Sequence, residues 1–381
     1  MRVVFSVMSA ISIINQAKLI EKLLKELGHE VVYKNTWSVY DLRNKDNHAF
    51  LWFSLGIPPF IDGVIFPYLH NRDHVGKPMA VYVTVEGVPT VAARVCTNLP
   101  KIDLIANSQH TKELLEKAGL KVIDWVHHAI DYKFMQSIVK ETQEGRNRFK
   151  QILDKKFPGK CKIIYFARDD PRKRLDKLVN AMKLLKAANL PDYVLILHTD
   201  PSAEAKFKDL IKEGRVAMIT SYGSLPFEEA MRLVAACDYA VFPTSAEGFG
   251  LPLLEANALG LPVIHPWIPP LSEFSSKDYN FVFDYLFTRL VSYRAAQEWL
   301  FYEYDEADLA EMMAYAIDVW HNKREEYQEY LQKALENSRN WDYRKVYPKL
   351  LKHLGIKRIR VKASCPPTAK STAKGSTTHT R

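Results

Sequence analysis

Long apolar runs are missing from this sequence. No stretch approaches the roughly 18 or more residues that would span a bilayer, so no membrane-crossing helix is expected. Cysteine is scarce too: Cys96, Cys161, Cys237 and Cys365 are widely scattered through 381 residues. They show neither metal-ligand spacing nor a disulfide framework, which points to a reduced, cytoplasmic setting. Met1–Val7 leads straight into an amphipathic segment without a small-residue cleavage site, so no secretory signal is expected.

Acidic residues are absent from the C-terminal tail. Lys357, Arg358, Arg360, Lys362, Lys370, Lys374 and Arg381 carry most of the net charge of +9, leaving about +2 on residues 1–356. The tail is rich in Ser, Thr, Ala and Lys, so 357–381 is expected to be a basic, disordered extension. Its charge fits plain solubility, with weak attraction to anionic lipid at a membrane periphery as the other reading. The nearly balanced body argues against nucleic acid as a partner. With 47% hydrophobic and 25% charged residues, the remainder has ample material for a globular core.

What is present is a repeated alternation of strand and helix signals. Met1–Val7 reads as a strand, Ala17–Leu27 as a helix with its apolar stripe, Gly28 as a stop and Glu30–Tyr33 as a second strand. Val64–Phe66, Met79–Val85 and Ile102–Ala106 are further strand candidates; Asn107-Ser108 caps a helix from Gln109 to Ala118. The pattern restarts with strands at Lys162–Ala167, Tyr193–His198, Val216–Ile219, Tyr239–Phe242 and Pro262–His265, interleaved with helices. From Asp305 the chain reads as helical. Alternation of this kind implies parallel sheets covered on both faces. An α/β chain of two doubly wound domains facing across a cleft follows: 1–150 and 151–338, joined through the charged stretch Val139–Lys160. A helix at 339–356 would return to the first domain, docked by Trp341 and Tyr347.

In such sheets ligands gather beyond the carboxyl ends of strands, and three segments there carry chemistry. Phe166-Ala-Arg168-Asp-Asp-Pro-Arg-Lys173 places Arg168 and Lys173 where two cations suit a diphosphate; taken alone it reads more readily as a solvated charged loop. Glu247-Gly248-Phe249-Gly250-Leu251 follows a strand and opens a helix, so main-chain N–H groups face the cleft as an anion site. Glu255, one turn on, and Glu247 can each accept hydrogen bonds from sugar or ribose hydroxyls; Glu255 could instead merely complement the positive helix end. Ser221-Tyr222-Gly223, before Pro226, could hold a nucleobase or simply begin a helix.

Taken together, Lys162–Pro266 resembles the donor half of the family 4 retaining glycosyltransferases of GT-B fold. The likeness rests on Arg168 with Lys173 five residues on, Gly223 with Pro226, Glu247 through Ala256, and Gly260-Leu-Pro-Val263. It is fainter in the first half, in Gly28-His-Glu-Val, Ile105-Ala-Asn-Ser108 and His128-Ala-Ile-Asp131. The resemblance implies two Rossmann-like domains and transfer of a hexose from a UDP- or GDP-sugar to an acceptor hydroxyl with retention. The acceptor class, whether glycan, lipid or protein, is left open. Arg168 and Lys173 would hold the diphosphate, Glu247 the transferred sugar and Glu255 the ribose. No cofactor or metal is implied; Asp169-Asp170 lacks partners at metal-ligand spacing.

Two features depart from the family pattern. Ser9-Ala-Ile-Ser12 replaces a glycine pair in the first loop, and Glu86-Gly87 stands where a histidine is common. Glu86 could orient the acceptor hydroxyl or stabilise positive charge on the sugar, or be an ordinary loop residue. These departures motivate an alternative, a catalytically weakened nucleotide-sugar-binding protein. Other GT-B enzymes, such as epimerases or phosphorylases, are further rivals, and a phosphorylase lacks its pyridoxal lysine signal.

Overall fold

The computed structural model describes residues 1–55, 76–89, 104–188, 190, 192–219, 223–294 and 297–356. The expected Val64–Phe66 strand, Ile102-Asp103, Tyr222 and the basic tail lie outside the described residues.

The first sheet buries its central strands and leaves its two edge strands partly exposed. The strands are β1 (Arg2–Val7), β2 (Glu30–Tyr33), β3 (Asn47–Leu55), β4 (Met79–Thr84), β6 (Leu104–Ala106) and β7 (Val122–Trp125), in the order β2-β1-β3-β4-β6-β7 and parallel throughout. The intervening β5 (Gly87–Pro89) leaves this sheet. Side-chain alternation sends Val4, Phe50, Trp52, Val81 and Val83 into one buried cluster and Val3, Phe5, Ala49, Leu51 and Tyr82 into another. Helix α1 (Ile11–Glu26) lays Ile13, Ala17, Ile20, Leu23 and Leu24 on the second face. It begins six residues before the expected helix, because Ile13 extends the same stripe. Next come α2 (Val39–Arg43), capped by Ser38, and α3 (Gln109–Lys117), where Ser108 accepts from the Thr111 N–H at 3.0 Å.

The charged stretch Val139–Lys160 is largely helical. Asp131 caps α4 (Tyr132–Gln143), and Asn147 caps α5 (Arg148–Lys156) by accepting from Phe149 and Lys150 N–H groups. The charged residues there lie on the exposed sides of amphipathic helices, which made the sequence look unpatterned.

The second parallel sheet runs β10-β9-β8-β11-β12-β13. Its strands are β8 (Cys161–Phe166), β9 (Tyr193–His198), β10 (Val216–Ile219), β11 (Tyr239–Val241), β12 (Val263–Pro266) and β13 (Phe281–Phe283). Helices α6 (Leu175–Ala187), α7 (Glu204–Lys212), α8 (Phe227–Ala235) and α9 (Leu251–Ala258) alternate with these strands, as expected. The architecture is therefore α/β with two Rossmann-like parallel-sheet domains.

A hairpin of β14 (Phe287–Arg294) and β15 (Gln297–Glu303) then pairs antiparallel with β5, forming a three-stranded sheet shared by the two domains. Helices α10 (Glu306–Asn322) and α11 (Arg324–Ser338) follow. Finally α12 (Tyr343–Val346) and α13 (Pro348–His353) bury Tyr343, Tyr347, Leu350 and Leu351 in the cluster that covers the first sheet. Trp341 turns the chain there: its carbonyl accepts from the Ile130 N–H at 3.0 Å, and the Ile130 carbonyl accepts from Tyr343 at 2.9 Å. Among the described residues no helix is long and apolar enough to cross a membrane.

Candidate active site

The residues that follow strands of the two sheets meet one another. Glu86 comes after β4, Asn107 after β6, Arg172 and Lys173 after β8, and Glu247 with Gly248 after β11. This is the carboxyl-edge crevice where open α/β sheets take ligands.

At its centre Glu247 is buried. Its Oε1 accepts from Thr244 Oγ1 at 2.7 Å, from Arg172 Nη1 at 3.2 Å and from Lys173 Nζ. Burial pushes the Glu247 carboxyl up, but Lys173 and Arg172 outweigh it and hold the carboxyl below its ordinary range. Lys173 also sits over the Phe242 ring, 4.5 Å from its centroid. A short turn at Pro171–Lys173, started by Asp170 accepting from the Arg172 N–H at 3.2 Å, delivers both cations.

Glu86 belongs to the same cluster. Its Oε1 lies 2.7 Å from Arg172 Nη2. Burial raises the Glu86 carboxyl above its ordinary value; Arg172 pulls against that shift, while Glu247 adds to it. The structure thus joins Glu86, Lys173 and Glu247 in one ionic constellation.

Arg168 stands apart. Its side chain is 77% exposed and its Nε lies 4.0 Å from Asp200. Among the described residues no ion pair links it to Glu247; Arg172 occupies that position instead. The sequence offered Arg172 only as one cation among neighbours, and a 3₁₀ turn has no periodicity from which to tell which of them points inward.

The helix end has the expected form. Gly250, in the left-handed region at φ 99°, precedes α9, and Leu251 is its first residue. Phe249 is buried and stacks on Phe274 with ring centroids 4.7 Å apart. Gly248 packs against the first domain: its carbonyl accepts from Asn107 Nδ2 at 2.9 Å. A Cβ at Gly248 would lie 2.5 Å from Thr84 Cγ2. Asn107, expected to help cap α3, therefore spends its amide across the domain seam. Beside it, neutral His128 lies 3.3 Å from Thr84 Oγ1 and 3.0 Å from the Tyr82 hydroxyl; burial holds its pKa down to about 3.

Glu255 sits in α9 with no hydrogen bond or ion pair to its carboxylate among the described residues, and burial alone raises its pKa to about 7. Gly223 is exposed in the turn before Pro226, which is the N-cap of α8.

Residues 147–334 match the family Glycosyl transferases group 1. Over 355 residues the chain is 26% identical to the uncharacterized glycosyltransferase 335 of Sulfolobus islandicus rod-shaped virus 1, covering 92% of this chain and 100% of that one. A 116-residue stretch is 34% identical to O-antigen chain mannosyltransferase B of Escherichia coli, 29% of each chain. In fold, a glycosyltransferase from Rickettsia africae ESF-5 superposes with a TM-score of 0.70 at 13% identity, over 93% of this chain and 97% of that one. Anabaena Alr3699/HepE in complex with UDP-glucose gives 0.61 at 14% identity, over 93% and 99%. The second half of this chain thus carries a group 1 glycosyl transferase domain, and the protein is a glycosyltransferase of GT-B architecture.

Proposed function

We propose that this glycosyltransferase is of the family 4 retaining type. It moves a hexose from a nucleotide-diphosphate sugar to an acceptor hydroxyl, in the cytoplasm and without a metal. The observation that carries this reading is the buried Lys173–Glu247 pair beside the Gly250 helix end, with Glu86 arriving from the opposite domain.

Breaking the sugar–phosphate bond places negative charge on the diphosphate and positive charge on the anomeric carbon. Preorganised cations and N–H groups favour that separation. Lys173 and the N–H groups at Phe249, Gly250 and Leu251 would face the diphosphate, with Arg168 free to swing onto it from its exposed position. Glu247 would hold the sugar and Glu255 the ribose hydroxyls. The Tyr222–Gly223 turn would meet the base, and Glu86 the acceptor hydroxyl. Retention then follows from front-face attack in which the leaving phosphate takes the acceptor proton. The UDP-glucose complex of Anabaena Alr3699/HepE, which has the same fold, supports a UDP-sugar as the first donor to try.

The test is a thermal-shift screen of UDP-, GDP- and ADP-sugars, each with and without EDTA. A donor at ~100 times its dissociation constant stabilises by about 2.7 kcal/mol. One nucleotide shifting the melt despite EDTA, with an anomer of unchanged configuration in the product, is the expected result. Binding without transfer to any acceptor would replace this reading by a sugar-nucleotide-binding protein.

A further inference from the structure

Neither the family match nor the roles proposed above use Arg172, yet the two domains meet on this side chain at the reaction centre. It is fixed twice to the donor loop: its carbonyl accepts from the Ser245 N–H at 2.8 Å, and its Nη1 donates to the Ala246 carbonyl at 3.1 Å. The same guanidinium then reaches Glu247 at 3.2 Å and, across the seam, Glu86 at 2.7 Å. All donors to Glu247 among the described residues fall on Oε1, so Oε2 keeps its acceptor capacity.

Two carboxylates gathered in a water-poor site repel, and each loses hydration. A guanidinium relieves both at once because its rigid fork presents N–H groups in two directions; an ammonium is a single point charge. Lys173 is committed to Glu247, which leaves Arg172 as the cation shared between Glu247 and Glu86.

We propose that Arg172 is a positioning residue for the transfer step. By holding Glu86 of the first domain and Glu247 of the second on one guanidinium, it sets the closed cleft and turns Glu247 Oε2 toward the sugar. The proposal rests on the glycosyl-transfer reading of the site. It also makes a claim about the unliganded protein that does not depend on turnover.

The experiment compares wild type, Arg172→Gln, Arg172→Lys, Glu86→Gln and the Arg172→Gln/Glu86→Gln pair in the full chain. The unliganded proteins are followed by hydrogen exchange over 83–86 and 244–249, and turnover and donor affinity are measured with the sugar nucleotide found by the screen. Arg172→Gln is expected to speed exchange on both sides of the seam at least ~10-fold. It should lower kcat by about 10²-fold, as loss of a preorganised group does, with donor affinity changed less than ~3-fold. Arg172→Lys should restore only part of the rate. The double variant, with one carboxylate neutralised, should close better than Arg172→Gln alone.

Unchanged exchange in Arg172→Gln would overturn the proposal. So would a fall in donor affinity equal to the fall in kcat, which would make Arg172 a direct donor ligand. Should Arg172→Gln not fold, Glu86→Gln must by itself loosen 244–249, and protection there equal to wild type overturns the proposal. Absence of transfer by wild type with every donor would defeat the glycosyl-transfer reading, while the exchange data would still judge the clamp.

Discussion

Glu273 and His127 meet at 2.7 Å across the seam between the domains. The same carboxylate accepts from the N–H groups of Gln109 and His110, at 2.9 and 2.7 Å, and so caps the start of α3 from the opposite domain. Burial pushes the Glu273 carboxyl up, but His127 and the two N–H groups overcome it and hold it below its ordinary value of 4.5. A depressed carboxyl contributes stability that is present above its unfolded pKa and lost as pH falls through its folded one. Glu273→Gln is therefore expected to cost about 1–3 kcal/mol at pH 7, the range for losing charged hydrogen bonds. The difference from wild type should shrink as pH falls below the ordinary 4.5. Denaturant titrations at pH 7 and near pH 3.5 check this; equal losses at both would remove Glu273's charge from the account.

Glu255 behaves in the opposite sense. With burial unopposed, its pKa of about 7 lies above the ordinary 4.5. The folded protein then binds a proton more readily than the unfolded chain between those values. Stability falls as pH rises through that window and stays reduced above it. Glu255→Gln is expected to raise the melting temperature at pH 8 and to change it little near pH 4.5. If the ribose contact proposed for Glu255 is right, the same variant binds donor more weakly at pH 8. A carboxylate kept at a stability cost is what a binding site requires. A variant no more stable than wild type at pH 8 would show that Glu255 has a partner or water supporting its charge.

The sequence made most of the second sheet and its ligand edge readable because β8, β9, β10 and β11 are short apolar runs, each followed by a turn and a helix. The spacing of Arg168, Lys173, Glu247 and Glu255 along that edge carries the resemblance to a glycosyltransferase donor half, from which their proposed roles come. What spacing could not give was which neighbouring cation turns inward: Arg172 joins Glu247 and Arg168 does not. Strand β3 has no periodic signal in the sequence, because Phe50-Leu-Trp-Phe53 is a continuous apolar run without alternation. The hairpin β14–β15 was invisible for another reason. Its outer strand exposes Phe287 and Leu290, and its partner strand β5 is three residues from the other domain. Pairing between distant segments leaves no local mark.

Gly248 tests how closely the domains must approach. An added Cβ would stand 2.5 Å from Thr84 Cγ2, with the Val85 carbonyl oxygen at 3.3 Å. Gly248→Ala is expected to hold the seam ajar and lower turnover at least ~10-fold through lost positioning, with the second domain still folded. Thr84→Ser deletes the offending methyl and keeps the hydroxyl beside His128 Nε2. The double variant should therefore recover most of the loss. Steady-state rates of the three variants decide the matter; no recovery would mean that Gly248 acts through its backbone conformation rather than through the space it leaves.

Gly87 poses the same question at the hairpin, with backbone on both sides. A Cβ there would fall 2.0 Å from the Glu298 carbonyl oxygen and 2.7 Å from Trp299 Cα. Neither atom can rotate away, so β5 and β15 would have to separate. The hairpin is also tied to the second domain: Arg174 Nη1 donates to Glu303 at 2.6 Å, and the Tyr302 N–H donates to the Ser245 carbonyl at 2.8 Å. It should stay there while losing the first domain. Trp299 and Phe301, stacked at 5.7 Å and packed with Ala246, would then gain access to water. Gly87→Ala is expected to cost about 1–3 kcal/mol, as overpacking does. Exchange should quicken at Gly87, Val88 and 297–301 but not in β8 or β9. Uniform quickening through the second sheet would instead mean that the hairpin is part of that domain's core, and wild-type protection at 297–301 would mean that β5 contributes nothing to holding it.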